Sequence, residues 1–171
     1  GNETDDRFYA HMIQKPMEPA VLADAISDVL GVTSQYGSEQ YGTRAVELPD
    51  GSIRSDALDI LGRCDRSKSC EGTPSSTGPL SQKLHLFNGA LLNDRIGVVG
   101  SRLDQFLKAE IRPMEIVEDY YQTALNRPPN EQEVRFLSML LNQAKSPKEQ
   151  RNLLEDFVWS IVTCKEFVTN H

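Results

Sequence analysis

The second half of the sequence contains three consecutive amphipathic helix patterns, and these constrain the fold more than any other feature. In residues 147–162, apolar side chains recur at three- and four-residue intervals, so one face of the predicted helix is apolar. Ser146, Pro147 and Glu149 stand where an N-cap, a first helical residue and a capping-box acid belong. Since an apolar stripe must be buried, this segment predicts a helix that packs against other elements.

Two similar patterns come directly before this helix. Asn130 and Glu133 form a second capping box, which is followed by apolar residues at helical spacing. Residues 113–125 form a further amphipathic pattern, which ends before a double proline. Because links this short favour antiparallel neighbours, we expect a three-helix unit over residues 112–162, preceded by a shorter helix at 103–107.

The first half of the sequence has a weaker pattern. Residues 19–30 predict an amphipathic helix that ends at a glycine, and a second helix is expected over residues 80–92. Between them lies a central loop region (residues 32–78) that is rich in Gly, Ser, Pro and Asp. Within this region we expect a β-hairpin at residues 44–54, which contain an Asp-Gly turn, and a short helix at 56–61. A loop region of this length is typical of a functional surface or of a segment wrapped over the helices.

Length and charge define the class of protein further. The 171 residues suit one domain, and a net charge of -7 disfavours binding to nucleic acid or to an anionic membrane. The sequence contains no apolar run of the roughly 18–20 residues that a membrane span needs. We therefore expect an all-α fold, an irregular multi-helix bundle with a long central loop region and one short candidate β-hairpin. Residues 1–171 form a single helical domain in this interpretation, with a candidate seam near 93–100.

Catalytic and metal-binding motifs are missing from the sequence. It contains no phosphate-binding glycine loop, no nucleophile elbow, no zinc-protease motif and no haem-attachment motif. A zinc site at Cys64, Cys70 and His85 is disfavoured because the cysteine spacing departs from that of zinc motifs and no fourth ligand is evident. The sequence therefore predicts no catalytic residue, no metal ligand and no cofactor site.

Two features of the central loop region remain as candidates. Cys64 and Cys70 lie six positions apart in a turn-rich stretch, where they form either a disulfide or two reduced thiols. Tyr36 and Tyr41 are flanked by glycines that allow close backbone approach, so they are candidates for stacking on a sugar ring or a partner surface. The alternative for both tyrosines is an ordinary role in the packing of the loop.

Six segments spread over nearly the whole chain carry a family resemblance. They are QKPMEPAVLADAISDVLG (14–31), GTRAVELPD (42–50), LGRCDRSKSCEG (61–72), PLSQKLHLFNG (79–89), ALNRPPNEQE (124–133) and EDFVWSIVTCKEFVTNH (155–171). In this order they resemble a planctomycete-type C-terminal domain of unknown function, found in large secreted proteins that carry cytochrome-c-like modules. Leu61 and Cys64 replace a Phe and a Pro of the family pattern, and Thr163 and Cys164 replace an Asn-Ser pair, whereas Cys70 matches the family's own cysteine.

The resemblance implies a cellular context and no chemical mechanism. It implies an exported protein in the periplasm or cell envelope, with the upstream modules of the same parent protein or an envelope protein as partners, and polysaccharide as a further candidate partner. Any haem would belong to those upstream modules. Polar residues within the matching segments are candidates for a network that fixes the central loop region onto the helices. They are Arg63, Arg66, Glu71, His85, Asn88 and Arg127.

These observations favour a non-catalytic helical interaction or docking module over an enzyme, because the strongest sequence signals serve packing and helix capping. Two alternatives use the central loop region instead. One is a hydrolase-like enzyme in which His85 would meet a carboxylate and a hydroxyl nucleophile in a cleft. The other is a carbohydrate-binding domain that would use Tyr36 and Tyr41.

Overall fold

The computed structural model describes residues 15–49, 53, 55–61, 63 and 90–170, and most of these lie in helices. In chain order the helices are α1 (Pro19–Leu30), α2 (Asp56–Ile60), α3 (Ala90–Ile96), α4 (Arg102–Lys108), α5 (Pro113–Leu125), α6 (Glu131–Gln143), α7 (Pro147–Thr163) and α8 (Lys165–Val168). A 3-10 turn covers Ala45–Glu47, and strands β1 (Lys15–Pro16) and β2 (Thr169–Asn170) pair antiparallel. The predicted all-α class is confirmed.

Side-chain caps fix the starts of α6 and α7. The Asn130 side chain accepts from the backbone N–H groups of Gln132 and Glu133, and the Glu133 carboxylate accepts from the Asn130 N–H at 2.6 Å. At the start of α7, the Ser146 hydroxyl accepts from the Glu149 N–H at 3.2 Å. Each such cap stabilises a helix by about 1 kcal/mol. The predicted starts of both helices are confirmed.

Helices α5 and α7 lie at the centre of the core. The Tyr120 ring of α5 packs edge-on against Phe106 of α4 and Phe157 of α7, with centroid distances of 6.4 and 6.2 Å. Helix α6 contacts both α5 and α7, so the helices expected over residues 112–162 do pack on one another. The fully buried side chains of the two central helices are Ile116, Val117, Tyr120, Leu154, Val158 and Val162.

Helices α1, α3 and α4 complete the same apolar cluster. Ile26 of α1, Ile96 of α3 and Leu103 of α4 are buried in it, so buried side chains on both sides of the candidate seam at 93–100 share one core. Arg151 of α7 also donates to the backbone carbonyl of Gly97 at 3.1 Å. Gly97, within the candidate seam, is therefore hydrogen-bonded to helix α7.

The C-terminal end predicted for the helix over residues 80–92 is wrong, because the helix ends at Ile96. Residues 80–89 lie outside the described part of the chain, and α3 continues beyond Leu92 to Ile96. Leu92 and Ile96 stand four residues apart and are both buried, so the helical face that packs into the core extends by one more turn.

The β-hairpin expected at residues 44–54 is wrong for its first arm, which contains the 3-10 turn Ala45–Glu47. The Asp24 carboxylate of α1 accepts from the backbone N–H groups of Ala45 and Val46, which a paired strand would direct to a neighbouring strand. The Asp-Gly turn of the expected hairpin lies outside the described residues.

The two strands were not predicted. They place the first described residues next to the last ones, with Lys15 opposite Asn170, and the Met17 N–H donates to the Val168 carbonyl at 3.0 Å. Among the helices that the structure describes, none combines the length and the apolar character that crossing a bilayer requires.

Candidate functional site

A buried carboxylate holds the first part of the central loop region on α1. Asp24 is only 5% exposed, and its two oxygens accept from the backbone N–H groups of Ala45 at 2.7 Å and Val46 at 3.1 Å. A buried charge is tolerated when it is paired and hydrogen-bonded, and here the guanidinium Nε of Arg44 lies 3.5 Å from Asp24. The loop therefore has a defined conformation over the helix.

Arg44 also forms an ion pair with Asp28, one helical turn after Asp24. Its Nη2 and Nη1 atoms lie 2.7 and 3.4 Å from the two oxygens of the Asp28 carboxylate. The hydrogen bond with Asp28 raises the pKa of the Arg44 guanidinium, so the guanidinium stays positively charged. Both side chains remain accessible, at 47% and 58% exposure, and can contact another molecule.

A second arginine forms hydrogen bonds with α1 and with the residues that follow it. Arg95 of α3 donates from Nη2 to the hydroxyl of Ser27 at 3.0 Å and to the carbonyl of Val32 at 2.7 Å. Desolvation by burial lowers the pKa of this guanidinium, because removal from water disfavours its charged form. Arg95 thus joins α3 to the C-terminal end of α1.

The space between α1 and residues 32–44, called the α1 cleft below, has a volume of about 340 Å³. It is lined by charged and hydroxyl-bearing side chains, and its wall includes the C-terminal end of α1. Tyr36 is one of the lining residues, and its hydroxyl is buried without a hydrogen-bond partner among the described residues. The polar side chains that matter most are Asp24, Ser27, Asp28, Ser34, Tyr36 and Arg44.

The two candidate stacking tyrosines have different environments. Tyr36 is 2% exposed, so its ring packs in the core, which agrees with the packing alternative and excludes stacking of this ring on a ligand. Its hydroxyl has no hydrogen-bond partner among the described residues. Tyr41 is 73% exposed and stands next to Gly42, which lines the α1 cleft. The structure therefore leaves Tyr41 available for stacking.

The predicted polar network is described only at two of its residues. Arg63 donates to the Ile53 carbonyl at 2.8 Å and to Asp59 at 2.9 Å, so both of these bonds stay within the central loop region. Arg127 does not contribute to that network in the described structure. The remaining members lie outside the described residues, as do the candidate disulfide cysteines; these positions are Arg66, Glu71, His85, Asn88, Cys64 and Cys70.

Arg127 links α6 to α8 instead of holding the central loop region. Its guanidinium bonds both oxygens of Glu133 at 3.0 and 3.1 Å and both oxygens of Glu166 at 2.7 and 2.9 Å. It also lies 5.2 Å from the centre of the Tyr121 ring. The hydrogen bond from Arg127 holds the pKa of Glu133 below its usual range. This cluster joins three helices, and its guanidinium has two carboxylate partners.

The sequence patterns singled out Tyr36 of the α1 cleft lining but none of its charged residues. Asp24 and Asp28 lie four positions apart and therefore on one face of α1, which is the local signal that could have drawn attention to them. Arg44 and Arg95 carry no comparable signal, because their partners are distant in sequence.

Within the described part of the chain, no three His, Cys, Asp or Glu side chains come together in a way that could hold a metal ion. No protein-family model, curated protein or solved structure matches this chain. The family resemblance of its sequence motifs stays a prediction.

Proposed function

We propose that this chain is a non-catalytic interaction module and that it engages its partner through the α1 cleft. The observation that carries the proposal is the attachment of residues 44–46 to Asp24, because it fixes the shape of the cleft before any partner arrives. A surface that is ordered in advance binds with a smaller loss of conformational entropy.

The hydrogen bonds that the Asp24 and Asp28 carboxylates already accept favour a binding role over a catalytic one. Asp24 already accepts two backbone N–H groups, and Asp28 is in an ion pair with Arg44. A general acid or base must exchange a proton with the substrate, whereas the oxygens of both carboxylates already accept hydrogen bonds from protein groups. They are suited to hold a ligand by hydrogen bonds.

The proposed setting follows from the sequence motifs. We place the module in an exported multidomain protein of the periplasm or cell envelope, where its partner is an upstream module of the same protein, an envelope protein or a polysaccharide. The helical core formed by α5 and α7 serves as the rigid support for the cleft.

The proposal is tested by titrating the ¹⁵N-labelled chain with the upstream modules of its parent protein and with envelope polysaccharide. We expect chemical-shift changes concentrated in α1 and residues 32–44, with no change in the partner's covalent structure. A control titration uses the Glu131→Gln variant, which alters an exposed ion pair on α6. Turnover of a partner that stops in the Asp28→Asn variant would contradict the non-catalytic assignment.

A further inference from the structure

The charges around the α1 cleft are balanced. Asp24 and Asp28 line it, Arg44 lies between them, and Arg95 is bonded to Ser27 and Val32 of its wall. Two negative and two positive groups give no net charge, so neither an anion nor a cation is attracted overall. The C-terminal end of α1 lies in the wall and carries partial negative charge, which disfavours an anion further.

The Arg44–Asp28 ion pair places hydrogen-bond donors of the guanidinium next to hydrogen-bond acceptors of the carboxylate. The guanidinium has five N–H groups, and the pair with Asp28 uses those on Nη1 and Nη2 that point at the carboxylate. The carboxylate has lone pairs beyond the two that accept from Arg44. Each hydroxyl of a sugar both donates and accepts, so two adjacent hydroxyls match a guanidinium beside a carboxylate.

Further polar groups of the cleft have unused hydrogen-bonding capacity. The Ser34 and Ser27 hydroxyls are 3.5 Å apart, which is long for a hydrogen bond, and the Ser27 hydroxyl donates to the Ala23 carbonyl. The Tyr36 hydroxyl is buried without a partner in the described residues. An unpaired buried hydroxyl is unfavourable, and a ligand atom that bonded it would gain from satisfying it.

An exposed aromatic residue adjoins the cleft lining in the sequence. Tyr41 is 73% exposed and precedes Gly42 of the cleft lining, where a Cβ would meet nothing within 4 Å. The apolar face of a sugar ring packs well on such a ring, while its hydroxyls remain free for polar contacts. The cleft volume of about 340 Å³ falls at the small end of ligand sites.

We infer that the α1 cleft binds an uncharged saccharide. Arg44 and Asp28 hydrogen-bond adjacent hydroxyls of one sugar ring, the Tyr36 and Ser34 hydroxyls bond it from the cleft wall, and Tyr41 stacks on the ring or its neighbour. This inference rests on the proposed function, since it names the chemistry of the partner that the same cleft engages.

The test is a titration of the whole chain, followed by NMR and calorimetry, with neutral hexasaccharides of glucose, mannose, galactose and xylose in different linkages. Oligogalacturonate serves as the charged counterpart. We expect at least one neutral hexasaccharide to shift the amides of residues 32–44, and oligogalacturonate to bind at least tenfold more weakly.

Variants locate the binding site. Arg44→Gln and Asp28→Asn each remove a charge-assisted hydrogen bond, which should weaken binding about tenfold or more. Tyr41→Ala should weaken it by a similar factor through lost stacking. The matched controls are Glu131→Gln, in an exposed ion pair of α6, and Phe136→Ala, an exposed aromatic residue of the same helix; both should bind as the unchanged chain does.

The outcomes separate this inference from the proposed function. If no neutral hexasaccharide binds, or if oligogalacturonate binds best, the saccharide assignment is overturned; binding of an upstream module at residues 32–44 would then leave the proposed function standing. If a neutral saccharide binds at the cleft and is cleaved there, the ligand class is upheld and the non-catalytic assignment falls. Binding that the Arg44→Gln and Asp28→Asn variants retain in full would place the ligand elsewhere and overturn the inference.

Discussion

Replacing Asp24 with alanine should destabilise the protein far more than the same change at Asp28, although both acids lie on one face of α1. Asp24→Ala removes the acceptor of the Ala45 and Val46 backbone N–H groups, which are 2.7 and 3.1 Å away. A buried donor without a partner costs about 1–3 kcal/mol. Because the bond to Val46 is only partly buried, we expect a total loss of about 2–4 kcal/mol.

The assay is thermal unfolding followed by circular dichroism, together with a urea titration. For a chain of 171 residues, each kcal/mol lowers the melting temperature by about 2–4 °C, so Asp24→Ala should lower it by roughly 4–16 °C. Asp28→Ala breaks an exposed ion pair and should cost no more than about 1 kcal/mol. Equal melting temperatures for the two variants would refute the role assigned to Asp24.

Three further predictions concern the core, the Arg127 cluster and Cys164. Leu154→Ala empties a fully buried position and should cost about 2–5 kcal/mol in urea unfolding, whereas the exposed Met139→Ala should cost little. Since Arg127 depresses the pKa of Glu133 in the folded state, this stabilisation is complete above the usual glutamate pKa and is lost as the pH falls through the depressed value. The difference in urea midpoint between the unchanged chain and Arg127→Gln should therefore shrink in acid, and a difference independent of pH would argue against the pair. Burial raises the pKa of Cys164, so iodoacetamide should modify it more slowly in the folded chain than in urea, as measured on its peptide by mass spectrometry; equal rates would contradict this.

The helices of the second half could be predicted because their start signals are local. Ser146 and Asn130 each bond backbone groups within three residues, and the sequence shows those partners directly. The prolines at the starts of α5 and α7 act through their own ring geometry. Such signals need no knowledge of the rest of the fold.

The elements that could not be predicted depend on contacts between distant parts of the chain. Ala45–Glu47 forms a 3-10 turn because Asp24, in another element, accepts its backbone N–H groups. The pairing of Lys15 with Asn170 joins the two ends of the described chain. The sequence left Tyr36 with two alternatives, stacking on a ligand or packing of the loop, and only its contacts in the fold decide for burial. None of these contacts leaves a periodic signal in the sequence.

The α1 cleft separates residues that maintain the fold from residues that are free to bind. Asp24 is committed to the backbone of residues 45 and 46, whereas Asp28 and Arg44 bond each other on an accessible surface. Loss of Asp24 should therefore disturb both stability and binding, while loss of Asp28 should disturb binding alone. The comparison of these two acids, one helical turn apart, tests whether the cleft is a recognition surface or only the way in which the loop is attached to the helix.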